Sequence, residues 1–345
     1  MSGTTGTRHV VEHEDQDELE AELHRLGWTD GLPVRVPTLD RVDRFVRDSG
    51  LDPDEVVGHV APQGGLADVR LVAVNAVMAG CRPEHLPVVV ATVKAIIQDP
   101  FNLYLVQVTT NPLAPLAVVN GPVRHELGLR HGRDALGPGT GGNGPIGRAV
   151  RFVMRNVGGI GDNDTSTHGG PWKYTFCIAE DEESSPWEPL HVWQGYDPDD
   201  SVVTTLGIEG IIDVVPESGT TTPANLMNHL VHAMQTVSTG FWWSRGNPTF
   251  VLTPGYAQLL HRAGRSRLSV QEELFERSKV PVSHLPFDNI NTGEWKMDGD
   301  RILVTERPED IYLIVAGASE GHHALYMLPC CLCFATHAKV PDPRS

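Results

Sequence analysis

The sequence predicts an α/β protein in which mixed sheet layers pack with helices, arranged as two subdomains. Short runs rich in branched residues alternate with longer stretches that show the three- and four-residue apolar spacing of helices. Such alternation favours mixed α/β layers. Residues 213–225 (DVVPESGTTTPAN) then combine Pro, Gly and a threonine run, and this composition predicts a boundary between the subdomains.

Helix and turn signals predict most elements of the first half of the chain. Residues 16–26 and 38–48 are predicted helices, and Gly, Asp-Gly and two prolines predict an irregular loop between them (GWTDGLPVRVPT). Residues 83–99 begin with proline and continue with helical apolar spacing. The short runs 102–110 and 116–122 are rich in branched residues, which predicts buried strands.

The second half repeats the alternation of strand and helix. It contains predicted helices at 223–238, 255–264 and 268–278, a strand at 249–253, and a β-hairpin at 301–317. These segments give the predicted domain division. It comprises an acidic tail and helix at 1–24, an α/β domain with glycine-rich loops at 25–215, and a smaller α/β domain carrying the Cys- and His-rich C-terminus at 216–345.

Charge and hydropathy limit the expected partners. The chain has 44 acidic and 27 basic residues, for a formal net charge of −17. Such a surface repels nucleic acid and anionic membranes, so neither is an expected partner. The N-terminal residues lack an apolar signal segment, and no apolar run approaches the roughly 18 residues of a membrane span. The sequence therefore predicts a soluble, cytoplasmic protein with a small-molecule substrate, and a homodimer is expected from the frequency of symmetric assemblies.

A cysteine cluster near the C-terminus is the most distinctive pattern. Cys330, Cys331 and Cys333 are three of only five cysteines, and they lie within LPCCLCFATH. In an extended segment, Cys331 and Cys333 share one face and offer two soft thiolate ligands. The cluster therefore predicts a transition-metal site for zinc, iron, copper or cobalt. Histidines close in sequence could complete the ligand set. These are His322, His323 and His337.

The same cysteines permit interpretations without a metal. A disulfide between Cys330 and Cys331 could be attacked by the Cys333 thiolate, which is thiol redox chemistry. Alternatively, the cysteines are small buried hydrophobic residues of an apolar strand. The other two, Cys81 and Cys177, lie in apolar contexts and are predicted to be buried.

The predicted helix 223–238 offers a second pair of metal ligands. Thr222 is the predicted N-cap and Pro223 the first helical residue. His229 and His232 are three residues apart, so both imidazoles lie on one face and could bind one ion. Alternatively, this polar face is simply solvated.

A glycine-rich loop leads into an arginine-bearing helix (GPGTGGNGPIGRAVRFVMR). Free amides before a helix N-terminus can bind an anion, and arginines bind carboxylate or phosphate in bidentate fashion. We therefore expect Gly142, Asn143, Arg148 and Arg151 to bind a substrate anion. The stretch lacks the Walker and dinucleotide fingerprints. The alternative is a tight turn followed by a salt-bridged helix.

Three residues are predicted to carry acid–base chemistry. His168 lies in a glycine-rich loop (DTSTHGGPWKY), where polar side chains can meet a ligand. Glu188 and His191 lie in SPWEPLHVW and are predicted to be catalytic on similar grounds. Isolated histidines are also common at surfaces or satisfied in cores. The acidic run EDEE at 180–183 is predicted to be a solvated turn.

Several strings together resemble a bacterial family related to the UGSC selenoprotein group. They include GWTDGLPV, NAVMAGCRPEHLPVV, GPIGRAVRFVMRNVGG and KYTFCIAEDEESSPWEPLHV, and the resemblance spans roughly residues 25 to 330. It implies thiol or selenol redox chemistry. Those relatives follow the last strand with a Gly-Gly-x-Gly-Lys-His-Ser type of turn, whereas this chain has GASEGHHALYMLPCCLCFATH.

Together these patterns predict a metal-dependent enzyme that acts on a small anionic molecule by redox, lyase or hydration chemistry. The C-terminal thiolates and histidines would hold the metal, and the arginine face would position a carboxylate. Two alternatives stay open. One is a metal-free thiol–disulfide or selenol-linked redox protein, and the other is a non-catalytic metal carrier with a saturated ligand set.

Overall fold

A computed structural model describes residues 15–161, 165–216, 221–236, 246–284, 296–330 and 332–342. The described residues form a curled, mixed sheet of seven strands, two smaller sheets and a set of helices. The predicted α/β class is therefore confirmed.

The helices and strands alternate along much of the chain. The helices are α1 (Gln16–Arg25), α2 (Leu39–Ser49), α3 (Val69–Met78), α4 (Leu86–Ile96), α5 (Leu103–Val108), α6 (Val123–Glu126), α7 (Asn143–Asn156), α8 (Leu190–Trp193), α9 (Pro223–Met234), α10 (Pro254–Arg262) and α11 (Arg267–Ser278). The strands are β1 (Val56–Val60), β2 (Gly65–Asp68), β3 (Ala114–Asn120), β4 (Cys177–Ala179), β5 (Val202–Val214), β6 (Thr249–Leu252), β7 (Val280–Pro281), β8 (Met297–Asp298), β9 (Arg301–Ile302), β10 (Tyr312–Val315), β11 (Ala324–Pro329) and β12 (Thr336–Lys339).

The long strand β5 organises the main sheet. The strand order is β10-β6-β11-β5-β3-β4, and β12 pairs with the first residues of β5. The pairs β3–β4 and β6–β10 are parallel, whereas β5 runs antiparallel to β3, β11 and β12. Sheet hydrogen bonds between β5 and β11 thus cross the predicted boundary near residue 215, and the domain division stays a prediction.

The sheet curls until its edge strands β4 and β10 approach each other. The Asp181 amide donates to the Val315 carbonyl at 2.7 Å, and the Val315 amide donates to Glu180 Oε1 at 3.4 Å. An apolar cluster drawn from both halves of the chain fills the curl. Its buried members include Leu116, Val118, Ile178, Leu206, Ile208, Val251, Ile314 and Met327.

Two further apolar clusters pack helices against the sheet. One joins α3, α4 and α7 to the strands, and α4 is buried along nearly its whole length because it lies against α7, β5 and β12. The other packs α9, α10 and α11 against β6, β10 and β11. The helix α7 is therefore fixed in the core by its packing against α3 and α4.

Two predicted elements are wrong. Residues 102–110 contain the helix α5 because Asn102, at φ 54°, adopts a left-handed conformation and caps the Leu105 amide. A short apolar run does not distinguish a strand from a buried helix. The predicted hairpin at 301–317 does not form, since β9 pairs with β7 and β8 while β10 joins β6 in the main sheet.

In the part of the chain that the structure describes, no single helix is both long and apolar enough to cross a bilayer. One pair bent by 75°, Pro83–Ile96 with Asp99–Val108, meets the length and composition only jointly.

Candidate functional site

An open cleft of about 860 Å³ lies beside α7. Arg151 and Arg155 of α7 line it together with residues from the segments 27–31 and 166–174. The two arginines are four residues apart, so they lie on the same side of the helix. Because α7 is packed in the core, it presents both arginines from a rigid support.

The polar part of the cleft lining combines cationic and hydroxyl groups. Arg151, Arg155 and Lys173 contribute the cations, and His24 and His168 add two imidazoles. Hydroxyl groups line it as well, from Thr29, Ser166, Thr167 and Tyr174. Among the lining residues that the structure describes, Asp30 is the one carboxylate. In a chain of net charge −17, this concentration of positive charge favours anions locally.

Arg148 clamps one wall of the cleft to α7. Its Nε and Nη2 donate to the two oxygens of Asp30, each at 2.7 Å, and Nη2 also donates to the Pro33 carbonyl at 3.0 Å. Burial raises the pKa of the Asp30 carboxyl, but the hydrogen bonds and charge of Arg148 outweigh burial and lower it. Arg148, predicted to bind a substrate carboxylate, therefore binds a carboxylate of the chain itself.

Further hydrogen bonds fix the same wall. Arg155 Nη2 donates to the Thr29 carbonyl and Asn156 Nδ2 donates to the Trp28 carbonyl, both at 3.1 Å. The Thr29 hydroxyl lies 2.7 Å from His24 Nδ1. The loop that follows α1 is thus held to α7 by Arg155 and Asn156 and to α1 by His24.

Gly142 and Asn143 lie away from the cleft. Asn143 accepts from the Arg130 amide at 2.8 Å and donates to the Arg130 carbonyl at 2.9 Å, so its buried amide fixes the preceding loop. A Cβ on Gly142 would lie 2.8 Å from His85 Nε2, so the glycine permits close packing there. Of the predicted site residues, the structure brings Arg151 and His168 together in the cleft.

His191 and Glu188 occupy different environments outside the cleft. His191 is fully buried on α8; its Nε2 lies 3.4 Å from the Pro198 carbonyl and its Nδ1 lies 3.8 Å from Glu182 Oε1. Glu188 is exposed, and its backbone carbonyl accepts from Arg267 at 2.9 Å.

The prediction that residues 180–183 form a solvated turn is wrong for its first two members. Glu180 is 0% exposed and Asp181 is 5% exposed. Glu180 Oε2 accepts from Asn120 Nδ2 at 2.6 Å and from the Leu190 amide at 2.7 Å. The carboxylate tolerates burial because donors from β3 and α8 satisfy it.

Arg124 compensates the charge of this acidic turn (residues 180–183). Its guanidinium is buried and donates to the Glu180 carbonyl at 2.8 Å, while Nη2 lies 2.9 Å from both Glu182 Oε2 and Glu183 Oε1. The hydrogen bond from Arg124 lowers the pKa of Glu183 to about 2, and His125, at 2.8 Å, adds to the effect against a smaller cost of burial.

The C-terminal cysteines form a disulfide between Cys330 and Cys333, whose Cα atoms are 5.4 Å apart. Both are buried. The hypothesis of a Cys330–Cys331 disulfide is wrong, because Cys330 is bonded to Cys333. The expected extended segment is interrupted, since β11 ends at Pro329 and Leu332 has a φ of 57°. The predicted ligand Cys331 lies outside the described residues.

The three histidines predicted as ligands beside the cysteines have different partners: His337 is half-buried, whereas His322 and His323 are exposed. His337 Nδ1 lies 2.9 Å from the Thr204 hydroxyl, and burial lowers the pKa of His337 to about 4. His323 pairs with the Asp213 carboxylate at 3.0 Å. His322 lies beside the Tyr256 ring.

On α9, His229 Nδ1 bonds the Asn225 carbonyl at 2.9 Å, and His232 is exposed. The Thr222 cap is confirmed. In the described ranges, one group of three ligand-type side chains has its ligand atoms within 4.8 Å of one another, and it contains none of the predicted metal ligands. It consists of His131, Asp181 and Glu183.

The two remaining cysteines are buried as predicted. Cys81 is 1% exposed and Cys177 is 4% exposed. Burial raises the pKa of both thiols, that of Cys177 to about 12, so neither is a ready thiolate nucleophile.

Sequence reasoning missed the residues that complete the cleft and the acidic turn. Thr29 and Asp30 lie in a loop that was identified only by its turn residues. Asn120 is the last residue of the buried strand β3 and Arg124 follows that strand, and polar residues at the ends of parallel strands are a known signal for a site. Comparison of the chain with protein-family models, curated proteins and solved structures gives no match.

Proposed function

We propose that the protein is an enzyme that binds a small carboxylate- or phosphate-bearing molecule in the cleft beside α7. One observation carries the proposal: Arg151, Arg155 and Lys173 line a single cleft in a chain of net charge −17. A cationic cleft in an acidic protein attracts anions that the rest of the surface repels.

The chemistry of the lining fits a compact anion. Guanidinium groups bind carboxylate or phosphate through two parallel hydrogen bonds, while an ammonium group acts as a point charge. The hydroxyls of Ser166 and Thr167 lie in the same lining and can bind polar atoms of the ligand. The cleft volume of about 860 Å³ lies within the roughly 300–1,000 Å³ typical of small-molecule sites.

His168 is the proposed acid–base group. It is exposed on the 165–170 loop and lines the same cleft as Arg151. An imidazole can donate or accept a proton, so His168 can transfer one to or from a ligand that the arginines hold. This arrangement favours lyase or hydration chemistry among the three predicted reaction types.

The proposal does not require the metal predicted at the C-terminus, since Cys330 and Cys333 are bonded to each other. Dependence on such a metal stays a prediction, as does kinship with the UGSC group. A cytoplasmic location, a small-molecule substrate and a homodimer belong to the same proposal and rest on composition alone.

A ligand panel tests binding. Malonate, succinate, citrate, inorganic phosphate and a phosphomonoester are each added to the protein while its melting temperature is measured. A ligand at 100 times its Kd stabilises the native state by about 2.7 kcal/mol. We expect at least one member to raise the melting temperature, with neutral amide analogues inactive. Equal shifts with the neutral analogues would contradict an anion site.

Proton exchange tests the role of His168. The bound carboxylates are incubated with the protein in D₂O, and loss of C–H signals is followed by NMR. We expect His168→Asn to slow exchange while ligand affinity changes little. The control is His232→Asn, an exposed histidine on α9 outside the cleft lining. Equal exchange rates in both variants would remove His168 from the proposal.

A second candidate is thiol–disulfide redox chemistry, which the Cys330–Cys333 disulfide favours. Two electrons and two protons from a pair of small thiols would convert it into two thiols. Native protein is equilibrated in glutathione buffers and its thiols are trapped and counted. Reduction at a defined potential without unfolding would support this function. If the disulfide is reduced only after denaturation, it is a structural bond of the buried core and the redox function is contradicted.

A further inference from the structure

His131, Asp181 and Glu183 meet near the end of β10, and none of them lines the cleft. The Gly317 amide donates to the His131 carbonyl at 2.8 Å, and the Asp181 amide donates to the Val315 carbonyl at 2.7 Å. The backbones of both residues are therefore anchored to one segment of the sheet. We propose that the three side chains bind a divalent transition-metal ion such as Zn²⁺ or Mn²⁺.

The spacing of the ligand atoms fits a shared ion better than a hydrogen bond. His131 Nδ1 lies 3.5 Å from Asp181 Oδ1, and the ligand atoms of all three residues lie within 4.8 Å of one another. Two atoms that each lie about 2.1 Å from one ion are separated by roughly 3.0–3.4 Å in octahedral or tetrahedral geometry. Small side-chain adjustments would bring all three onto one ion.

Unpaired imidazole nitrogens around the acidic turn provide a second observation. Within the described residues, His131 Nδ1 is a buried atom without a hydrogen-bond partner. The same holds for Nδ1 of the fully buried His191, which faces Glu182 at 3.8 Å. Buried polar atoms are nearly always satisfied, so the His131 nitrogen is available to coordinate an ion.

The local charge also favours a cation. The buried guanidinium of Arg124 contacts Glu182 and Glu183, whereas Asp181 pairs with His131. Arg124 and His125 hold the Glu183 carboxylate in place, as outer residues orient ligands in metal sites. A divalent ion would offset the remaining negative charge.

The ligand types select the class of ion. One imidazole and two carboxylates suit Zn²⁺ or Mn²⁺ better than Ca²⁺, which prefers six to eight oxygen ligands, or Cu⁺, which prefers sulfur. The side chains of His131 and Glu183 are 30% and 55% exposed, so water can complete the coordination.

Equilibrium dialysis tests the site. Protein stripped with EDTA is dialysed against ZnCl₂ or MnCl₂, and bound metal is measured by mass spectrometry. We expect one equivalent bound to wild type and at least tenfold weaker binding to His131→Gln and Asp181→Asn. The matched control is His323→Gln, which alters an exposed His–Asp pair elsewhere. Absence of stoichiometric metal from wild type would overturn the proposal.

Separate controls test whether each variant is folded and whether the ion binds at the C-terminal cysteines instead. Circular dichroism melts exclude variants that have lost their fold, and His131, being part-exposed, is the more tolerant position. Visible absorption of Co²⁺-loaded protein reports coordination directly and should vanish in His131→Gln. A Cys330→Ser, Cys333→Ser variant should retain full metal. Loss of metal from that variant, with His131→Gln unaffected, would place the ion at the C-terminal cysteines instead.

Discussion

The ion pair between Asp30 and Arg148 gives the sharpest stability prediction, because it fastens one wall of the cleft to α7. The Asp30 and Arg148 side chains are only 7% and 17% exposed, and two hydrogen bonds of 2.7 Å join them. Substitution Asp30→Asn removes the negative charge while preserving side-chain size. Arg148 then keeps its contacts with the Pro33 carbonyl and the Phe152 ring but loses its anionic partner.

The expected cost follows from the burial of the pair. Removing one partner of a fully buried pair costs about 3–5 kcal/mol, because an uncompensated charge stays behind. Arg148 is slightly exposed and retains carbonyl acceptors, so we expect the free energy of unfolding to fall by about 2–3 kcal/mol. The wall formed by Thr29, Asp30 and Gly31 should loosen, and anion affinity in the cleft should fall with it.

Chemical denaturation of wild type, Asp30→Asn and the control Asp43→Asn measures this cost. Asp43 pairs with Arg70 at the surface, with side chains 53% and 30% exposed, so its loss should change stability by less than about 0.5 kcal/mol. The native pKa of Asp30 is lowered, so its contribution is complete above its unfolded pKa and is lost as the pH falls through the native pKa. The difference between wild type and Asp30→Asn should therefore shrink in acid.

Equal stabilities of Asp30→Asn and Asp43→Asn at pH 7 would refute the clamp. A difference that persists unchanged in strong acid would also contradict it, because the pair no longer exists once Asp30 is protonated. In that case the effect of the substitution would come from packing rather than from charge.

Two further predictions concern buried ionisable groups. Glu180→Gln leaves the guanidinium of Arg267, 3.7 Å away and 3% exposed, without its carboxylate, and denaturation should show a loss of about 3–5 kcal/mol. His85 and His337 have pKa values lowered to about 4, in both cases chiefly by burial. Between about pH 6.5 and 4 the unfolded chain binds more protons than the native protein does. The free energy of unfolding should therefore decrease as the pH is lowered through this range, by up to about 1.4 kcal/mol per pH unit for each histidine. The free energy of unfolding should depend less steeply on pH in His337→Gln than in wild type. An unchanged slope in that variant would show that the buried His337 does not cause the pH dependence.

The helices and strands that could be predicted are those whose signals lie within a short stretch of the sequence. The helix α9 and the buried strand β3 were predicted because the Thr222 cap of the one and the branched apolar run of the other lie in contiguous sequence. The central strand β5 was missed, since its partners β11 and β12 lie more than 100 residues away in sequence. The burial of Glu180 could not be predicted either, because its partners Asn120 and Leu190 meet it only after the sheet has formed.

The candidate site shows the same division. Arg151 and His168 were predicted separately from a helical arginine spacing and a glycine-rich loop, and the fold brings them into one cleft. That Arg148 binds Asp30 could not be predicted, because the two residues are 118 positions apart. Sequence spacing identifies side chains that can carry chemistry, whereas long-range pairing decides where in the fold those side chains lie.

The central claim is that a small anion binds in the cleft beside α7, and titration calorimetry tests it most directly. The best-binding member of the panel, malonate or inorganic phosphate for instance, is titrated into wild type, Arg151→Met and the control Arg133→Met. Arg133 is an exposed arginine that pairs with Glu320 outside the cleft lining, so the control carries the same change in net charge. Loss of a charged hydrogen-bond donor should cost about 2 kcal/mol, or roughly 30-fold in Kd, in Arg151→Met and leave Arg133→Met within twofold of wild type. Equal affinities of the folded Arg151→Met variant and wild type would contradict the account.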